Sequence, residues 1–120
     1  MGDAKGKIVI ADDCKDLRDL LRMGLEKAGY EVDTVSDGMM LITYLKDNQD
    51  VDIVILDIVM PERSGLSVLN TVRSIVPATR LIIYTAHHNY KNSVYAREAD
   101  AFVDKTEGLD KILEAVKSVI

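Results

Sequence analysis

The residues Val51, Ile53, Val54, Ile55 and Leu56 form an apolar, mostly β-branched run, and Asp57 follows it directly. A similar run, Ile8-Val9-Ile10-Ala11, ends in Asp12-Asp13. Strands that read as near-continuous apolar runs belong to a parallel sheet buried on both faces. In an open sheet of that kind, loops at the carboxyl ends of the strands build the ligand site. Two such strands ending in carboxylates predict one acidic pocket. That pocket suits a hard divalent cation held through oxygen.

The rest of the chain alternates strand and helix. Lys7–Ala11 reads as the first strand, and Lys15–Ala28 as a helix with Leu17, Leu20, Leu21, Leu25 and Ala28 on one face. Gly29 supplies its stop. Glu31–Val35 alternates and suits an edge strand with one solvated face. Ser36 and Asp37 are placed to cap a second helix running to about Lys46. Asp52–Leu56 is the most uniformly apolar strand, hence central. Ser64 caps a third helix ending near Val76, where Pro77 forbids continuation. Arg80–Thr85 is a fourth strand, 89–97 a polar fourth helix and Ala101–Val103 a short fifth strand. Leu109, Ile112, Leu113, Val116 and Ile120 give a last helix its core face. The expected fold is α/β: a doubly wound (βα)5 domain around a five-stranded parallel sheet, with right-handed crossovers placing helices on both faces.

At 120 residues the chain is expected to be a single domain, 1–120, with 1–6 a flexible N-terminal extension. The formal charge of −5 argues against a nucleic-acid footprint of its own. A single cysteine, Cys14, excludes an internal disulfide, and its place near a helix start suggests a small buried hydrophobe. No apolar run approaches the ~20 residues of a membrane span. The opening residues lack the apolar core of a signal peptide, and position 6 is not the Ser or Thr of a myristoylation signal. A cytoplasmic location without membrane contact is the expectation.

Five separated positions fall at predicted strand ends: Asp12, Asp13, Asp57, Thr85 and Lys105. Alone, each has a structural explanation, as a turn, a cap, a strand former or a surface lysine. Together they place three acids, one hydroxyl and one ammonium at one sheet edge. Packed carboxylates repel unless a cation intervenes. Mg²⁺ takes oxygen ligands and few carboxylates. With Lys105 as a second, fixed positive charge, the set would neutralise a phosphoryl group at Asp57. Phosphoryl transfer needs mainly positioning and charge stabilisation.

The chain resembles the response-regulator receiver domains of two-component signalling over residues 7–120. Asp12-Asp13, the run Asp57-Ile58-Val59-Met60-Pro61-Glu62-Arg63-Ser64-Gly65, Thr85-Ala86 and Lys105 carry the resemblance. It implies strand order 2-1-3-4-5, already known for the family's chemotaxis member and so not an independent deduction. It also implies roles. Asp57 would take a phosphoryl group from a kinase phosphohistidine. Asp13, Asp57 and the backbone carbonyl of Val59 would bind Mg²⁺, with Asp12 acting directly or through the metal's waters. Lys105 would pair with Asp57 and then with phosphoryl oxygens, to which Thr85 would donate its hydroxyl. Phe102 matches the aromatic switch position. The output face would be the fourth helix, fifth strand and fifth helix, open to a homodimer partner. The expected partner is a sensor histidine kinase or phosphotransfer protein. The chain would be a phosphoacceptor rather than a turnover enzyme.

Three departures from the family pattern stand out. Thr106 replaces the usual proline after the lysine, which predicts a trans Lys105–Thr106 bond, since a non-proline cis bond costs ~3–4 kcal/mol. Glu98-Ala99 replaces Gly-Ala before the fifth strand, which suggests a shifted or mobile helix end. Val59 and His87 occupy the positions that tune phosphoaspartate hydrolysis. Val59 cannot hydrogen-bond a water, so slow self-dephosphorylation is expected, faster in Val59→Asn by decay of trapped label, unless His87 orients the water. His87 and His88 otherwise read as exposed loop residues. Competing readings are a flavin module, disfavoured by the acidic first loop, and a small phosphatase, which would carry a second acid at position 59. A third is a docking or dimerisation module of the same fold that works without phosphorylation.

Overall fold

The computed structural model describes residues 5–57, 65–86 and 98–119. Outside them lie 1–4, the segment 58–64 with Val59 and Ser64, His87, His88, the predicted fourth helix at 89–97, and Ile120. The described elements are β1 (Lys7–Ala11), α1 (Lys15–Lys27), β2 (Glu31–Val35), α2 (Gly38–Asp47), β3 (Ile53–Leu56), α3 (Gly65–Ile75), β4 (Arg80–Thr85) and β5 (Ala101–Asp104). A 3-10 turn, Lys105–Glu107, then leads into the C-terminal helix, Leu109–Val119.

All strand pairs are parallel, in the order β2-β1-β3-β4-β5. The α/β doubly wound architecture is as predicted, and four of the five expected helices lie among the described residues. Strand side chains alternate between two cores. Val9, Ala11, Val54, Leu56, Leu81 and Ile83 pack under α2 and α3. Ile8, Ile10, Ile53, Ile55, Ile82 and Tyr84 pack under α1 and the C-terminal helix. Each fully buried Ile or Leu contributes about 1.5–3 kcal/mol of transfer free energy. That double coverage explains why β1, β3 and β4 lack polar alternation.

The helices follow their capping chemistry with corrections in detail. Gly29 at φ 105° takes the turn after α1, a conformation that costs L-residues strain. The Asp37 side chain accepts from the Met40 N–H at 2.8 Å and starts α2. Leu21 and Leu25 are buried in α1, but Leu20 is 52% exposed. A helix turns ~100° per residue, which carries Leu20 off the stripe that Leu21 and Leu25 share. Cys14 is not a buried hydrophobe: it is exposed, at the N-cap of α1. Its N–H turns inward to Asp12, which leaves the thiol in solvent. The described backbone contains no cis peptide bond, so Lys105–Thr106 is trans. Glu98 is helical and its carbonyl accepts from Arg73 Nη2 at 2.8 Å, so the chain is held there before β5.

Two glycines separate tight packing from slack packing. A Cβ on Gly38 would lie 2.7 Å from Cγ2 of buried Val68, a short and stiff side chain. Gly38→Ala is expected to lose about 1–3 kcal/mol. A Cβ on Gly24 would lie 2.9 Å from Leu109 Cδ2, the far end of a flexible and partly buried chain. Gly24→Ala is expected to range from neutral to about 0.5 kcal/mol more stable. Urea unfolding of both variants checks the contrast; equal midpoints would refute it.

Candidate functional site

β1 and β3 leave the middle of the sheet side by side, with Ala11 opposite Leu56. Asp12 and Asp57 each stand one residue beyond that pair. The Asp57 N–H donates to the Ala11 carbonyl at 3.0 Å and extends the ladder to the site itself. The chain runs from β1 to β2 on one side and reaches β3 on the other. This is the topological switch point, where open α/β sheets bind ligands.

Asp12, 1% exposed, uses both oxygens inside the protein. Oδ1 accepts from the Cys14 N–H at 2.8 Å and shapes the turn into α1. Oδ2 meets Lys105 Nζ at 2.6 Å as an ion pair, without hydrogen-bond alignment. Lys105 Nζ also donates to Asp57 Oδ2 at 2.8 Å. Asp13 is exposed at the mouth. Oxygens of Asp12, Asp13 and Asp57 lie within 4.8 Å of one another. Three carboxylates against one ammonium leave a formal charge of two negatives. An all-oxygen donor set with one member facing solvent fits Mg²⁺, which keeps several of its waters.

Burial holds the Asp12 carboxyl above its ordinary 3.8, although Lys105 and the Cys14 N–H favour the anion. Burial pulls the Lys105 ammonium down, but the adjacent Asp12 and Asp57 carboxylates outweigh that and hold it above 10.5. The signs differ in consequence. Folded Asp12 keeps its proton to higher pH than the unfolded chain does. Its contribution to stability is full in acid and shrinks as pH rises from 3.8 through the raised value. The Lys105 contribution is full below 10.5 and is lost as pH rises through its own raised value. Asp12→Asn removes that falling contribution, so the variant's stability relative to the parent is expected to rise with pH across this range. Denaturant unfolding from about pH 3.5 to about pH 7 checks this, and parallel profiles would refute it.

Residues 8–117 match the profile of the response regulator receiver domain. The chain belongs to that family. Similar structures include the response regulator protein TrrA of Thermotoga maritima in complex with Mg²⁺ and beryllium fluoride, at TM-score 0.87 and 33% identity over 96% of this chain and 99% of that one. TrrA in complex with the histidine kinase ThkA aligns at TM-score 0.85 and 33% identity, over 96% and 98%. The DNA-binding transcriptional regulator NtrC of Azospirillum brasilense is 34% identical over 95 residues, 79% of this chain and 20% of NtrC. The response regulator MprA of Mycobacterium sp. (strain KMS) is 28% identical over 116 residues, 95% of this chain and 50% of MprA. The receiver domain thus spans a fifth to a half of these curated relatives.

Of the site residues expected from sequence, this receiver domain brings Asp12, Asp13, Asp57 and Lys105 together. Thr85 is buried at the carboxyl end of β4, on the same sheet edge. Phe102 is half-buried on β5 and packs against the core beneath α2 and α3. Val59 and His87 lie outside the described residues. Two supporting groups were not anticipated. Arg18 Nη1 donates to the Asp12 carbonyl at 2.8 Å and braces the acidic turn. The Tyr84 ring lies 5.9 Å from Lys105 Nζ, and burial pushes its hydroxyl up against the pull of that ammonium. Tyr84 is the one aromatic residue of β4, which is its only sequence signal.

Proposed function

We propose that Asp57 accepts a phosphoryl group from a histidine kinase or phosphotransfer protein. An Asp57 carboxylate oxygen attacks phosphorus, the phosphorus–nitrogen bond of the donor phosphohistidine breaks, and the released imidazole nitrogen takes a proton. Asp13 and Asp57, with the Val59 carbonyl, would hold Mg²⁺, and Asp12 would act on it directly or through its waters. The bound ion would neutralise charge on the transferring group. Lys105 stays with Asp57 through the transfer and pairs with the phosphoryl oxygens formed there. Thr85 donates its hydroxyl to one of them. Phe102 and the face of the 89–97 segment, β5 and the C-terminal helix would carry the change outward.

The observation that supports this most is the Lys105 ammonium within 2.8 Å of both Asp12 and Asp57, beside an exposed Asp13. Two acids and a cation so arranged bind one another until a more highly charged group arrives. The domain would be a switch rather than a turnover enzyme, contained in residues 1–120. Among the described residues no helix is long and apolar enough to cross a membrane. Acetyl phosphate with Mg²⁺ tests the reading: borohydride trapping followed by peptide mass analysis should place the label on Asp57. A protein that stays unlabelled with acetyl phosphate and unchanged by beryllium fluoride would instead be a docking module that works without phosphate.

A further inference from the structure

Lys105 reaches its two carboxylates through a long flexible side chain, so the backbone at its base decides whether it arrives. That backbone is unusually well tied. Lys105 opens the 3-10 turn Lys105–Glu107, and Asp104 is the N-cap. Asp104 Oδ1 accepts from the Thr106 N–H at 2.9 Å and from Thr106 Oγ1 at 2.8 Å. Glu107 Oε1 accepts in return from the Asp104 N–H at 3.2 Å, which closes a capping box. Gly108 follows at φ 88° and lets the chain turn into the C-terminal helix. Asp104 is also the β5 residue paired with Thr85. One residue therefore links the strand end bearing the hydroxyl to the turn bearing the ammonium.

We infer that Asp104, with Thr106 and Glu107, is a positioning unit for Lys105. The capping box holds the Lys105 Cα on a trans backbone, where the commoner family sequence has a proline after the lysine. Asp104 touches no reacting atom in this scheme. Its effect passes through Lys105, and it rests on the phosphoacceptor reading only for its consequence in rate. The acceptor oxygen matters, rather than the charge. Asp104→Asn keeps an acceptor at Oδ1 and should retain function, whereas Asp104→Ala should lose it.

The test has two arms. With acetyl phosphate and saturating Mg²⁺, Asp104→Ala should label about tenfold more slowly, with Mg²⁺ affinity within about twofold of the parent. In the Lys105→Ala background, Asp104→Ala should add nothing, since the residue it positions is gone. The second arm needs no phosphate. The Lys105 ammonium should give a slowly exchanging ¹H–¹⁵N cross-peak in the parent and in Asp104→Asn, and lose it in Asp104→Ala. An unchanged cross-peak in Asp104→Ala, or equal losses from Asp104→Ala with and without Lys105, would overturn the proposal. A parent that never takes up phosphate but loses the cross-peak in Asp104→Ala would sink the phosphoacceptor reading and leave this one standing.

Discussion

Asp57→Asn is expected to reduce phosphoryl labelling to background while leaving the fold intact. A carboxamide has no anionic oxygen to attack phosphorus, so no rate remains to be slowed. The packing around the site changes little, because Asn has almost the same shape. Lys105 keeps its ion pair with Asp12 at 2.6 Å and can donate to the amide oxygen where it now donates to Asp57 Oδ2. Stability should therefore change by no more than about 1 kcal/mol. Metal affinity should fall by at least about tenfold, since one of three clustered carboxylates is lost. Trapped-label mass analysis, a Mg²⁺ titration and a urea melt check the three statements. Label persisting at another acid would disprove the assignment of Asp57.

Lys105→Met should have the opposite profile: a damaged fold that metal repairs and a rate that metal does not. The substitution keeps an unbranched apolar stem and removes the ammonium. Asp12 and Asp57 then face each other, both buried, without the one cation that the described residues place between them. Breaking a buried ion pair from one side costs about 3–5 kcal/mol; the lysine side chain is 18% exposed, which argues for about 2–4 kcal/mol here. Millimolar Mg²⁺ should recover most of that, because it binds the folded state and supplies the missing charge. Labelling should still be about 100-fold slower, since the ammonium aimed at the phosphoryl oxygens is gone. Thermal melts with and without Mg²⁺, paired with labelling rates, separate the two effects. A variant as stable and as fast as the parent would show that Lys105 is incidental.

Much of this was legible in the sequence, and the exceptions have physical causes. β1, β3 and β4 announced themselves because burial on both faces leaves only apolar residues, and the acids that end β1 and β3 marked the site. Their order came from resemblance, since strand patterns carry no neighbour list. Leu20 was misassigned because a leucine at the margin of an apolar stripe reads like one inside it. Cys14 was misassigned because its position follows from a backbone turn set by Asp12. The sequence Asp104-Lys105-Thr106-Glu107 does spell a capping box, but a three-residue turn has no periodicity to draw attention to it. Arg18 is one of several basic residues on α1, and nothing in the pattern singles out the one that reaches back to the Asp12 carbonyl.

Lys105 lies 48 residues beyond Asp57 in the chain, and the pocket's only described cation is therefore made after all three of its acids. A nascent or clipped polypeptide that ends before β5 carries the acids without their counterion. If the domain accepts phosphate as proposed, that competence would be coupled to completion of β5 and the turn after it, so fragments released by proteolysis or stalled translation would be silent rather than misleading.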